Sequence, residues 1–291
     1  MYRLLSVINL KLSHTPSSKR FLFILFIVAL PIFIFLRWDS STWLSAQVQQ
    51  AASEQGYHLN YDSVNLSGLG LYFKNIQVSQ ISQPNVPPIE CEQLGVSLSI
   101  SNLFSGALAA DIDALWETNP ISFTAAQQNE FIDITNIEAL IDVSRLDKYT
   151  ANLMAKVSGL VSVQGALSID PNKQLLHSAH LNSSWAQAMA GLSQPEFTLG
   201  DYHFELNSLE DINQPWQWAI KGGSGLGLHG SGTLSPFNPD PQFWHFSGNI
   251  DLQADNTNPT LAAMLQAYAG SNQAKVRLTG TFSNPRMDII R

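Results

Sequence analysis

Cysteine is almost missing from this 291-residue chain: Cys91 stands alone, so no internal disulfide can form and no multi-cysteine metal site can be assembled. A single cysteine within an alternating stretch reads as a small apolar strand residue. Charge is scarce too, at 13% of residues against about 25% in an ordinary soluble protein. Basic residues are scarcer than acidic ones. Beyond residue 38 there are ten Lys and Arg against 23 Asp and Glu, a formal charge of −13 that argues against a nucleic-acid partner. Catalytic signatures are missing: no Gly-x-Ser-x-Gly elbow, phosphate loop or His-Glu-x-x-His occurs. Of seven histidines only His177 and His180 are close, and three apart in a strand they are expected on opposite faces. The pairs Asp111/Asp113 and Asp251/Asp255 fall in alternating runs and read as solvent-facing positions. The glycine-rich stretch 222–232 precedes no helix, so a dinucleotide reading fails on context. No catalytic residue, cofactor or metal ligand is assigned, and the chain is not read as an enzyme.

Acidic residues are wholly lacking before Asp39, whereas Arg3, Lys11, Lys19 and Arg20 precede an uncharged run from Phe21 to Leu36, closed by Arg37 and Trp38. This asymmetry orients a single span with residues 1–20 in the cytoplasm and the bulk of the chain beyond the inner membrane. Sixteen residues make roughly 24 Å of helix, a little short for a 30 Å hydrocarbon core. Snorkelling of Lys19 and Arg37, with Trp38 at the headgroups, closes most of that gap. A cleavable leader is the alternative. Its first candidate site, Leu44-Ser45-Ala46, carries a bulky residue at the outer position, which favours an uncleaved anchor over 21–38.

After the anchor, Trp43, Leu44, Val48, Ala51 and Ala52 share a helical face that closes at Gly56, predicting an amphipathic linker helix within 39–56. From Tyr57 the apolar period becomes two. Tyr57, Leu59 and Tyr61 alternate, then Val64 and Leu66 after a slip that suggests a β-bulge. Leu71/Phe73 and Ile76/Val78 repeat it with another slip, and Leu94, Val96, Leu98 and Ile100 alternate cleanly. Later runs are Phe204/Leu206, Trp216/Trp218/Ile220, Phe246 with Ile250/Leu252, and Val276/Leu278/Phe282. Gly165, Gly232 and Gly280 each fall in phase with an apolar face shortly before a proline-containing turn, as in a strand bent sharply or approached closely by another backbone. Their spacings, 67 and 48 residues, are too unequal for a strict repeat. Two stretches read as helices: Ser184–Leu192, and Asn258–Ala269 with Asn258 as cap, Pro259 in the first turn and Gly270 as stop.

The segments Tyr57–Ser79 (YHLNYDSVNLSGLGLYFKNIQVS) and Ile89–Trp116, the latter with a turn centred on Leu103, Phe104 and Gly106, carry a further likeness. With the closing LTGTFSNPRMDI (Leu278–Ile289), they resemble AsmA-like proteins and the related type II secretion protein N (GspN). The likeness covers most of 21–116 and 275–291 and is a pattern of apolar and glycine positions. It implies a mainly β fold, an elongated, strongly twisted antiparallel sheet folded over itself, with a few short helices and an inner-membrane anchor. The whole of 57–291 would form this periplasmic domain. The chain is far shorter than the bridge-like members linked to lipid movement between membranes, and its size matches the secretion-associated branch. Three functions follow: a membrane-tethered lipid-binding module, an accessory subunit of the type II secretion system or a related envelope assembly, and, least supported, an enzyme fragment. Partners would be the inner membrane, phospholipid or another lipid, and secretion components. In the first reading Leu226, Leu228, Leu234, Phe246, Val276, Leu278 and Phe282 line an apolar trough. The helix bearing Leu261, Met264, Leu265 and Tyr268 then lies across it or at one end.

Overall fold

A computed structural model describes residues 40–54, 56–67, 70–81, 88–99, 108–128, 130–148, 156–173, 175–191, 197–209, 214–255 and 258–290. The expected anchor, with Phe21, Leu36, Arg37 and Trp38, lies outside them, as do Ile100 and the Leu103–Gly106 turn. The chain divides into two units, Met1–Gln50 and Ala51–Arg291. Helix α1 (Ser40–Glu54) includes the described part of the first and the start of the second, and ends before Gly56 at φ 82°.

The second unit is mainly β, a single antiparallel sheet of fifteen strands. These are β1 (Tyr57–Asn60), β2 (Ser63–Ser67), β3 (Gly70–Gln80), β4 (Ile89–Leu98), β5 (Leu108–Trp116), β6 (Asn119–Gln128), β7 (Phe131–Asp142), β8 (Lys156–Asp170), β9 (Leu175–Gly191), β10 (Phe197–Asn207), β11 (Trp216–Gly222), β12 (Leu226–Ser235), β13 (His245–Ala254), β14 (Gln273–Thr281) and β15 (Asn284–Ile290). From β3 onward each strand pairs with the next in sequence, and both β1 and β2 pair with β3. Short connections between neighbours suit such a meander, because each hairpin brings its own partner. A 3₁₀ turn, Pro241–Phe243, interrupts the β12–β13 connection, and helix α2 (Pro259–Ala269) joins β13 to β14. Asn258 Oδ1 accepts from Leu261 N at 3.3 Å and Gly270 takes φ 80°, the start and stop read from the sequence.

Ladder register puts alternate residues of every strand on one face. Leu181, Leu206, Trp218, Gly232, Gly248, Leu278 and Met287 form one such row across β9–β15. Toward the other edge, Val64, Phe73, Leu94, Ala114 and Ile121 form another across β2–β6. The opposite face carries Asn182, Glu205, Lys221, His229, Asp251 and Lys275. Its ion pairs, Lys221–Glu205 and Lys275–Asp251, both 3.7 Å, are solvent-exposed and contribute about 1 kcal/mol or less each. The sheet therefore has one apolar and one polar face.

Two details differ from the sequence reading. Ser184–Leu192 is not a helix: residues through Gly191 belong to β9. Trp185 and Ala188 share the apolar face because Gln187, at φ 53°, adds an extra residue between them. The ladders shift register there, so a bulge imitates helical spacing. Ladder pairing on both sides outweighs the helix propensity of Ala186, Ala188 and Ala190. The slip after Tyr61 is not a bulge in the ladder either. Tyr57–Asn60 and Ser63–Ser67 meet β3 in one continuous register, and the phase break is matched opposite by Asn75 at φ 50°. Asn75 Nδ2 donates to Asp62 Oδ2 at 2.6 Å across the break. Phe73 and Ile76, three apart, are consequently both buried, and Tyr61 meets Phe73 edge-on at 5.3 Å.

Gly280 adopts φ 113°, a region L side chains rarely occupy, and a Cβ there would run into the Asn284 carbonyl oxygen of the same hairpin. Gly280→Val is expected to destabilise the domain by about 1–3 kcal/mol, read as a lower denaturation midpoint. An unchanged midpoint would make this glycine incidental.

Candidate functional site

The apolar face is best formed around β9–β14. Ala179, Leu206, Trp216, Trp218 and Leu234 make a buried cluster, extended by Leu167, Leu181, Ile220, Phe246 and Ile250. Two glycines shape it. Gly232 and Gly248 are paired neighbours on β12 and β13, and the Trp218 indole lies over both: a Cβ on Gly232 would stand 2.6 Å from the ring, and one on Gly248 would collide with it. The indole Nε1 donates to the Thr233 carbonyl at 3.3 Å, which fixes the ring flat on the sheet. The two glycines let the indole lie low between bulkier neighbours, where it lines the apolar surface.

Next to this cluster runs a groove of about 270 Å³ lined wholly by apolar side chains: Phe204, Leu206, Trp218, Ile220, Leu234, Phe246, Ile250, Leu278 and Phe282. It crosses β10–β14. Phe246 and Phe282 stack at 5.5 Å and 25° at one end, with Trp244 tilted against Phe282 at 6.3 Å. Its volume lies just below the roughly 300–1,000 Å³ usual for small-molecule sites. It suits a segment of one flexible chain better than a compact ring system.

Leu234, Phe246, Leu278 and Phe282, expected in the trough from the sequence, come together here. Leu226, Leu228 and Val276 stand on the same face but outside the groove: Val276 is buried beside Ile250, and Leu226 pairs with Ala254. Leu228 borders a wetter hollow of about 480 Å³ with His229, Asp251, Gln253 and Lys275. Helix α2 connects the ends of β13 and β14 remote from Phe246 and Phe282. Leu261 and Leu265 are half-buried, whereas Met264 and Tyr268 are 43% and 78% exposed. Sequence reasoning missed Phe204, Leu206, Trp218, Ile220 and Ile250 as lining residues. Each had been recognised as an alternating apolar position, but which strands neighbour one another was not visible.

Polar chemistry is thin. Burial pushes the Cys91 thiol above its ordinary pKa, and Sγ faces the Gln93 and Leu115 carbonyls at 3.0 and 3.2 Å. A raised pKa leaves less thiolate at neutral pH, the opposite of an activated nucleophile. Tyr202, buried at the β10–β12 end, donates to the Leu226 carbonyl at 2.7 Å, and burial pushes its phenol up to about 12. That hydroxyl is a structural donor. His177 stacks on Phe131 at 4.1 Å, while His180 Nδ1 lies 3.3 Å from Asn207 Oδ1. Among the described residues, no group of three His, Cys, Asp or Glu is placed to hold a metal ion, and no helix is long and apolar enough to cross a membrane. No family model, no curated protein and no solved structure matches the chain.

Proposed function

We propose that this is an inner-membrane-anchored periplasmic protein whose sheet takes a stretch of lipid acyl chain in its apolar groove. The groove between Phe204 and Phe282 carries the reading: nine apolar side chains line it, with no charged or hydrogen-bonding group among them except the indole that Trp218 has already committed to Thr233. Such a lining offers a ligand little except removal from water. Each buried methylene gains about 0.8 kcal/mol, so about six methylenes supply roughly 5 kcal/mol before association costs. The charge asymmetry around Phe21–Leu36 and the likeness of Tyr57–Trp116 and Leu278–Ile289 to AsmA-like and GspN proteins support the membrane setting. The role proposed with it is accessory to the type II secretion system or a related envelope assembly. A stand-alone AsmA-like role in lipid transfer or outer-membrane biogenesis is the second reading, favoured by an apolar face that extends well past the groove.

In this reading the sheet of the second unit is strongly twisted and folded over its apolar side. Half-burial of Ile141, Val161 and Val163 supports this, since among the described residues no second sheet covers them. The test is titration of the purified full chain with cis-parinaric acid, a fluorescent acyl probe. Saturable binding near one probe per chain is expected. Fluorescence no greater than that of the carrier detergent alone would overturn the reading.

A further inference from the structure

We infer that the end of the groove bearing Phe237, Phe243 and Phe282 docks on the headgroup region of an uncharged, zwitterionic bilayer and is the mouth through which an acyl chain enters. The inference rests on the acyl-chain reading and extends it to where the lipid comes from. These three phenylalanines are 50%, 55% and 54% exposed, Phe237 and Phe243 on a firmly knit loop and Phe282 on the turn tied to it. Asp240 Oδ1 accepts from Gln242 N at 2.9 Å, Asn238 Oδ1 from Asp240 N at 2.9 Å, and the Asn238 carbonyl from Trp244 Nε1 at 2.7 Å. Ser283 N donates to the Gln242 carbonyl at 3.1 Å, tying this loop to the β14–β15 turn that carries Phe282. Exposed aromatics held rigidly at a loop tip lose little conformational freedom on insertion, which favours binding.

The occupant follows from chemistry and continuity. Residues 236–247 and 278–286 carry one acidic and one basic residue, Asp240, which caps the 3₁₀ turn, and Arg286, for a net charge of zero. A tip of zero net charge has no electrostatic preference for anionic lipid, and aromatic rings at such a tip suit the headgroup boundary. The surface is also continuous with the groove. Phe282 is 54% exposed on the tip and lines the groove as well, stacked on Phe246 and flanked by Trp244. A chain leaving a bilayer at Phe282 therefore meets apolar side chains all the way to Ile220.

Two measurements on the full chain test this. In phosphatidylcholine vesicles carrying the reconstituted protein, Phe243→p-benzoylphenylalanine should photo-crosslink to phosphatidylcholine about tenfold more than the same substitution at Lys221 on the polar face. Equal yields, or adducts with protein alone, would overturn the inference. Separately, Phe237→Ser combined with Phe243→Ser should slow uptake of cis-parinaric acid from phosphatidylcholine vesicles about tenfold, while binding of probe added directly in buffer stays unchanged. Uptake equally fast in both proteins would contradict entry at this mouth. If neither protein binds probe from buffer, the groove reading itself fails, and docking is then judged by the crosslinks alone.

Discussion

Trp218→Ala is expected to cost about 3–5 kcal/mol, enough to leave a domain of ordinary stability marginally folded. The cost exceeds loss of one apolar side chain because the two residues beneath the indole cannot fill the space. Gly232 and Gly248 have no side chains to move, and their backbones are held in the β11–β14 ladders. Truncation also removes the donor to the Thr233 carbonyl. Guanidinium denaturation followed by circular dichroism would read the change as a lower midpoint. The reciprocal variant, Gly248→Leu, should destabilise as well, since its side chain would occupy the volume of the ring. A Trp218→Ala midpoint within error of the parent would mean that the indole is not a structural cover, and would remove the physical basis for a shaped groove.

Phe204→Asp is expected to weaken acyl-probe binding tenfold or more while leaving the fold in place. Phe204 is 38% exposed and lines the groove from β10, so a carboxylate there can reach water in the empty protein. When an acyl chain enters, the same carboxylate must be desolvated against hydrocarbon with no partner, and the favourable contact of the ring is lost. Together these exceed the 1.4 kcal/mol that a factor of ten represents. Lys221→Gln, on the opposite face and changing the net charge by the same single unit, should leave probe affinity unaltered. Equal losses from the two variants would assign the effect to net charge rather than to the groove.

Much of this architecture was readable because its strands are long and their apolar positions alternate. The Trp216/Trp218/Ile220 and Val276/Leu278 runs each became a strand with those residues on the apolar side. The caps of α2, Asn258 and Gly270, were local signals that needed no tertiary information. What failed did so where the period of two was interrupted. At Gln187 a bulge brought Trp185 and Ala188 to one side and gave β9 a helical signature. At Tyr61–Asp62 a phase break looked like a bulge, though Asn75 on the partner strand matches it and the register never shifts. The groove was half legible for a related reason. Leu234, Phe246, Leu278 and Phe282 follow from strand pattern alone, but Phe204, Ile220 and Ile250 join them only because β10 to β14 are neighbours in sequence order. Trp218 covers Gly232 through a pairing that no local pattern announces.

Native mass spectrometry of the full chain, extracted from membranes in a mild detergent and then released from it in the gas phase, tests the central claim most directly. The account predicts a species heavier than the bare chain by the mass of one phospholipid, and loss of that species in Phe204→Asp. A single peak at the mass of the bare chain, in a preparation whose circular dichroism shows intact sheet, would contradict it.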